Sequence, residues 1–359
     1  MRLANPVIVS GGAGYIGSHV VCELRKNGFS PIVLDSLVNG HIWATRHAAF
    51  FQHGDIADTE LVRRLCRDFR PVAALHFAAF IEVAESVADP KKYFSNNRDK
   101  AKIFFDTLEK EGVRKIVFSS TAAVYGEGRA FLTENCPTHP INPYGESKLE
   151  AERYLRSLEG LESCALRYFN IAGAAPDKGL GEAHFPESHL MPRLVLPLID
   201  TPGVILKALG LGNGFKIYGE GHATRDGTAV RDYIHVLDLA EAHVKALRYL
   251  LCGGQTDIFN LGSGSGFSVR EVVQTAREVL NRPGFQPPVG PQRSGDPATL
   301  VAANEKARDV LGWAPRRNLA AMIKSAAVWH QSGTYRDTIL EKCMPAARTV
   351  PDRSPVPGE

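Results

Sequence analysis

The sequence predicts an α/β protein built on a doubly wound parallel sheet, with a smaller C-terminal α/β part that would carry a substrate. Two observations lead there. The short apolar runs of the first half are continuous rather than alternating, as in strands buried on both faces. Amphipathic segments separate them, so right-handed crossovers would cover both faces of one sheet. At 359 residues the chain is long enough for one large domain or two interlocked ones, at roughly 100–200 residues each.

Val7-Ile8-Val9 predicts the first strand, and His19 to Asn27 a helix ended by Gly28. Ile32-Val33-Leu34 predicts a second strand ending at Asp35, and Phe50-Phe51 a third that runs into Gly54-Asp55. Thr59 to Phe69 has helical spacing of apolar residues, and Val72 to Phe77 is a fourth strand. Asn97 to Glu111 predicts a helix stopped by Gly112. Ile116-Val117-Phe118 and Cys164-Ala165-Leu166 are the fifth and sixth strands. Ligands of open α/β sheets sit beyond the carboxyl ends of the strands, so the residues after each run are the candidates for chemistry.

Beyond Asn170 the texture changes. Residues 171–190 are rich in Gly, Ala, Pro, His and charges and predict a long binding loop or lid. Residues 232–262 read as strand, helix, strand. These shifts divide the chain into a nucleotide-binding part, 1–170 joined by parts of 232–262, and a mainly substrate-binding part, 171–342. The proline-rich residues 343–359 predict a mobile tail.

Composition excludes several classes. With 44% hydrophobic and 23% charged residues the chain is not a disordered one. Its 42 basic and 39 acidic residues, net +3, lack the basic excess of a nucleic-acid protein. The six cysteines, at Cys22, Cys66, Cys136, Cys164, Cys252 and Cys343, include no CxxC pair, so neither a metal site nor a disulfide framework is signalled. Free thiols in a reducing cytoplasm are the expectation. The N-terminus lacks the apolar core of a signal peptide. The most apolar stretch, Leu194 to Leu211, is broken by Pro197, Asp200, Pro202 and Lys207, so no membrane span is expected.

The first strand runs into Ser10-Gly11-Gly12-Ala13-Gly14-Tyr15-Ile16-Gly17, which satisfies both GxGxxG and GxxGxxG. Glycines there allow a tight turn, close backbone approach to a pyrophosphate and close helix–strand packing. A helix N-terminus adds N–H donors and partial positive charge. Asp35 ends the second strand, where an acid would hold ribose hydroxyls and repel a 2′-phosphate, so NAD is favoured over NADP and the sheet is of Rossmann type. Asp55 follows another strand and either reaches the adenine or serves as an ordinary turn residue.

Tyr144 and Lys148 stand four apart, on one face of a helix. An ammonium beside a phenol favours the phenolate, which makes Tyr144 a candidate base. Thr121, after Ser119 and Ser120 at the end of the fifth strand, is placed to hydrogen-bond a substrate oxygen.

The segments GGAGYIGSH, GDI, LHFAAF, FSSTAAVYG, NPYGESK, LRYFN, DGTAVRDYIHVLDLA and FNLGSGSGFSV follow one another over about residues 6–330. In this order they resemble the UDP-glucose 4-epimerase family of extended short-chain dehydrogenase/reductases. The resemblance implies tightly held NAD, a UDP-sugar substrate, and Thr121, Tyr144 and Lys148 as the catalytic set. It implies cofactor contacts at Gly11, Gly14, Tyr15, Ile16, Gly17, Asp35, Asn39, Asp55, Ile56, Phe77, Ala78, Ala79, Asn97, Tyr144, Lys148 and Tyr168. For the substrate it implies Thr121, Asn170, His189, Leu190, Lys216, Tyr218, Arg231, Arg293, Asp296 and Leu300. Arg231, taken alone, reads equally as a structural ion-pair partner. Family members commonly pair through helices near 97–111 and 146–158, so a homodimer is implied.

Related 4,6-dehydratases carry an Asp-Glu pair just after the threonine, and sugar-nucleotide decarboxylases a glutamate. Ala122 and Ala123 stand there instead. Without that added acid and base, elimination lacks its proton shuttle, leaving oxidation and re-reduction at one carbon. Ile81 stands where many members have a lysine, His189 where an asparagine is common, and Leu300 where a bulkier tyrosine limits the sugar pocket. The expected reaction is C4 epimerisation of UDP-galactose to UDP-glucose. The alternatives are the same reaction on UDP-N-acetylhexosamines or UDP-pentoses, a net redox enzyme releasing NADH, and a non-catalytic NAD or UDP-sugar binder.

Overall fold

Residues 3–126, 131–292 and 297–343 are described by the computed structural model. The continuous apolar runs become strands β1 (Pro6–Ser10), β2 (Ser30–Asp35), β3 (Phe50–His53), β4 (Ala73–His76), β5 (Lys115–Thr121), β6 (Glu162–Tyr168) and β7 (Asp257–Leu261). They form one sheet in the order β7-β6-β5-β4-β1-β2-β3, with every neighbouring pair parallel. The order reverses between β1 and β4, the crevice where such sheets bind dinucleotides.

Period-two alternation decides which helix meets which side chain. Val7, Val9, Val33, Leu75 and Leu166 face helices α1 (Tyr15–Lys26) and, late in the chain, Val236–Leu251. Ile8, Ile32, Leu34, Ile116 and Phe118 face α2 (Thr59–Phe69), α3 (Ala101–Lys110) and α4 (Pro143–Ser157). Burying each such side chain contributes about 1.5–3 kcal/mol, so the two layers clamp the sheet from both sides.

Three differences from the sequence reading have local causes. Helix α1 begins at Tyr15 rather than His19, because extended Gly14 is its N-cap. The predicted helix 97–111 belongs to a longer, broken run: Val83–Ala88, Pro90–Tyr93, a π-helical turn Phe94–Lys100, and then α3. Pro90 and the wide turn shift the apolar face, which conceals the helical period upstream of Asn97. The strand–helix–strand of 232–262 is present but divided between sheets: β7 extends the main sheet beside β6, whereas Val230–His235 does not join it.

Val230–His235 instead heads a second sheet. It pairs parallel with Asn170–Ala172 and Thr299–Ala302 and antiparallel with Gly266–Ser268, and Phe131–Leu132 pairs with Thr299–Ala302. Asp232, buried inside it, accepts from Ser263 N at 2.7 Å, Gly264 N at 3.1 Å and Ala302 N at 3.1 Å. The expected tail 343–359 lies outside the described residues except for Cys343, which closes the last helix. Among the described residues no helix is long and apolar enough to cross a membrane.

Candidate active site

At the switch point the loops after β1 and β4 touch. Gly11 has φ +73°, and a Cβ there would lie 2.5 Å from Ala78 N. A Cβ on Gly17 would lie 2.2 Å from Gly11 O, so only glycine lets α1 start this close to the loop. Gly14 caps α1 with no side-chain hydrogen bond, and its Cβ position meets nothing nearer than Gly11 O at 3.4 Å. The result is an open cradle facing a helix N-terminus, and it fits the pyrophosphate of a dinucleotide.

Asp35 sits beside this cradle, buried. Its Oδ2 accepts from Ala13 N at 2.9 Å and its Oδ1 from Leu37 N at 2.8 Å. Burial pushes its carboxyl up, and those two N–H donors pull it back down. A carboxylate has about four acceptor positions, so two remain for a ribose diol. Asn39 and Tyr15 line the same cavity as Gly14, and Ile16 is half-buried behind it. Replacing Asp35 with Ser is expected to weaken NAD binding about 10–100-fold, the worth of a hydrogen bond to a charged group, and to narrow the preference over NADP. Titration of cofactor-stripped protein with both dinucleotides measures it; an unchanged ratio would remove Asp35 from the ribose site.

Asp55 behaves as a turn residue: Oδ1 accepts from Ala57 N at 2.9 Å and Oδ2 pairs with Lys100. Its neighbour Ile56 is buried in the core. After β4, Phe77 packs on His243 at 4.8 Å, and Ala78 and Ala79 are half-buried in the loop. Buried Asn97, on the π-helical turn, accepts from Phe80 N at 2.8 Å and donates to Phe80 O at 2.9 Å. The wide turn thus pins the β4 loop against the cleft.

Helix α4 sets the catalytic candidates. Asn142 caps it by accepting from Gly145 N at 2.8 Å, and Pro143 occupies the first turn, where its missing N–H costs nothing. Tyr144, Lys148 and Glu152 follow on one face. A Cβ at Gly145 would lie 2.6 Å from Ala123 O, so the helix presses on the loop leaving β5. Thr121 at the end of β5 hydrogen-bonds the Tyr144 hydroxyl, and Tyr168 at the end of β6 bonds Ser119. The sheet edge and α4 therefore bring Thr121, Tyr144, Lys148 and Tyr168 together.

In the chain alone, burial works against the expected lowering of the phenol. Burial pushes the Tyr144 phenol up, Thr121 opposes this, and Lys148 makes no resolved contribution. Lys148 is itself pulled down to about 7 by burial, against the upward pull of Glu152. In the chain alone burial favours the protonated phenol; the Lys148 Nζ sits over the Phe118 ring, 4.4 Å from its centroid.

Beneath this set lies a network that the spacing of Tyr144 and Lys148 pointed to but the sequence reading passed over. Glu152 accepts from Ser120 Oγ at 2.7 Å and from Arg167 through Nε at 3.0 Å and Nη2 at 2.5 Å. Arg167 also donates to Tyr125 OH at 3.0 Å, which donates to Asn260 at 2.7 Å. An arginine inside the apolar strand Cys164–Tyr168 was the signal, since a buried guanidinium needs a carboxylate.

The second sheet gathers part of the predicted substrate set. Asn170 lies opposite Tyr233, and Arg231 opposite Leu300. Asn170 donates to Asp232 O at 3.1 Å, and Arg231 donates to Val230 O at 2.8 Å. Leu300 packs with Phe169 against a cluster containing Tyr125 and Leu149 of α4. Lys216 is exposed and Tyr218 half-buried on a small separate ladder, Ile217–Tyr218 with Val289–Gly290. His189 caps the helix that starts at Leu190, and its Nδ1–H donates to Glu182. Burial would lower that imidazole, but Glu182 overrides it and holds it at about 9. Arg293 and Asp296 lie outside the described residues.

A glycine cradle at the switch point, near half-buried Tyr144 and buried Lys148, defines an enzyme fold that works through a bound dinucleotide. The sequence profile of the NAD dependent epimerase/dehydratase family matches residues 7–262, and the chain belongs to that family. It is 44% identical over 332 residues to a UDP-glucose 4-epimerase of Lacticaseibacillus casei, covering 91% of this chain and 97% of the relative. It is 45% identical over 328 residues to one of Rhizobium leguminosarum bv. trifolii, covering 90% and 97%. The crystal structure of UDP-glucose 4-epimerase from Brucella ovis in complex with NAD matches with TM-score 0.83 and 40% identity, covering 90% and 98%.

Proposed function

We propose that the chain catalyses reversible C4 epimerisation of a UDP-hexose, UDP-galactose to UDP-glucose, with NAD held throughout the cycle. The observation that carries this is the Thr121–Tyr144–Lys148 constellation on the sheet edge that also bears the glycine cradle. Bound NAD supplies a hydride acceptor that is regenerated within each turnover, so a 4-keto sugar forms and is reduced from its other face. Burial favours the protonated phenol, and the positive charge of bound NAD would draw it down, so that Tyr144 takes and returns the 4-OH proton while Thr121 holds the same oxygen. Ala122 and Ala123 add no second acid or base, which supports epimerisation over elimination.

The sugar has to turn while the nucleotide stays, so the grip belongs on UDP and not on the reacting ring. Residues 171–342 are read as mainly the UDP-sugar side, and 1–170 with parts of 232–262 as the NAD side. Asn170, Leu190, Lys216, Tyr218 and Arg231 are assigned to the nucleotide sugar on family resemblance, with Arg293 and Asp296. Guanidinium groups suit a diphosphate because they bind it bidentately. A homodimer through the helices over 97–111 and 146–158 rests on the same resemblance, and light scattering reads it.

The test is product analysis over a panel of UDP-sugars, with the cofactor extracted from the same preparation. Interconversion of a C4 pair with stoichiometric NAD supports the reading; NADH release or no turnover overturns it. Half-buried Leu300 is where sugar size would be sensed. Leu300→Tyr is expected to cut any turnover of UDP-N-acetyl sugars at least tenfold while sparing UDP-galactose, a size effect of about 1–3 kcal/mol. Equal rates on both sugars after the change would remove that gate.

A further inference from the structure

Within the loop 181–189, Glu182, His184, Glu187 and His189 bring one ligand atom each to within 4.8 Å of one another. We propose that these four side chains form a binding site for one divalent cation of the zinc type. The inference shares only His189 with the epimerase reading, and because metal uptake and turnover are read separately either can fail alone.

The donor set is two imidazoles and two carboxylates, which suits zinc-like ions better than oxygen-seeking calcium or magnesium. Bonds of about 2.0–2.2 Å require ligand atoms roughly 3.3–3.6 Å apart in a tetrahedron, so the widest pair needs to close by roughly 1.2–1.5 Å. Two atoms are placed for it. Glu187 is 2% exposed; its Oε1 accepts from His189 N at 2.9 Å, while its Oε2 is buried with no hydrogen-bond partner. His184 Nδ1, also buried, lies 3.1 Å from Glu182 Oε1.

Charge points the same way. Glu182 is 4% exposed. Among the described residues no lysine or arginine side chain forms an ion pair with either carboxylate, and the ion pairs of Glu182 are both with histidines. Two adjacent buried carboxylates are costly unless compensated; the His189 imidazolium offsets one charge, and a dication that displaces its proton would offset both.

The surrounding backbone is pinned, so the ligands are held in place by more than each other. Trp329 Nε1 donates to Glu182 O at 2.7 Å, and a Cβ on Gly181 would lie 2.3 Å from that indole. Ala183 O bonds His41 at 2.8 Å, and Arg193 donates to Glu187 O at 3.0 Å. His184 also lines the cavity that holds Gly14 and Tyr15, so an ion has a route in from the cofactor cleft.

The experiment strips the purified full-length protein with chelator, then titrates it with Co²⁺ and Zn²⁺. Metal per chain, visible Co²⁺ absorption and Tm are read, and bound NAD serves as the check on folding. The expected result is one ion per chain, ligand-field bands of a nitrogen–oxygen site and a raised Tm. The double variant His184→Gln with Glu187→Gln is expected to bind at least tenfold more weakly, and so is Glu182→Gln alone. The site is refuted if NAD-loaded wild-type protein takes up no ion above background. It is equally refuted if Co²⁺ shows thiolate charge transfer, or if both variants retain NAD and bind metal as the parent does.

Discussion

Tyr144→Phe is expected to lower kcat for UDP-galactose epimerisation by about 10²–10⁴-fold, the usual worth of a positioned acid–base group. The ring stays: its edge-to-face contact with Tyr93, centroids 6.5 Å apart, does not use the hydroxyl. What goes is the oxygen that Thr121 bonds. Loss of one such hydrogen bond costs about 1 kcal/mol of stability, so the variant should fold and keep its NAD. KM should move little, because the 4-OH is a small part of a nucleotide sugar. A coupled assay for UDP-glucose, with NAD extracted from the same sample, separates the outcomes. A rate near the parent's would place the base elsewhere. Loss of bound NAD would make the phenol a cofactor ligand rather than a proton carrier.

The phenol's own environment sharpens this. Burial pushes it up and Thr121 only partly offsets that. The sequence pairing of Tyr144 with Lys148 identified the couple but not its desolvation, because spacing along a helix reports which groups share a face and not how dry that face is.

The same distinction separates what was legible from what was not. The strands of the main sheet were readable because a doubly covered strand has to be apolar throughout, and α2 was read at its true ends, Thr59 and Phe69. The glycine loop was readable because close backbone approach excludes every side chain at Gly11 and Gly17. The helix over 83–110 was not, since a π-helical turn breaks the period by which helices are recognised. Nor was the parting of Val230–His235 from β7: both runs read as strands, and which sheet each joins depends on partners far away in the chain. The loop holding Glu182 and His189 read as a long binding loop or lid, but not as a cluster, because its side chains converge without any secondary-structure period.

Glu152→Gln is expected to destabilise the protein by about 3–5 kcal/mol, because it leaves Arg167 charged and buried without a counter-ion. Glu152 is 1% exposed and Arg167 3%, so water cannot make good the loss. The amide keeps the shape and can still receive Ser120 Oγ, which isolates the charge as the cause. A second effect follows from Lys148, whose ammonium Glu152 supports against burial. Without that carboxylate Lys148 drops below about 7. Its folded value already lies under its unfolded one, near 10.4. Folding therefore pays most for this lysine below pH 7 and is relieved as pH rises from about 7 toward 10.4. In the variant the penalty at acid pH is larger, whereas above 7 the lysine is neutral in both folded proteins. The Tm deficit of Glu152→Gln should thus be several degrees at pH 8 and wider at pH 6. The alkaline fall of kcat should also move to lower pH, since the ammonium beside Tyr144 is lost earlier. Melting curves at the two pH values and a pH–rate profile check both. A deficit that is the same at pH 6 and pH 8 would show that Glu152 supports Arg167 alone and leaves Lys148 to the cofactor.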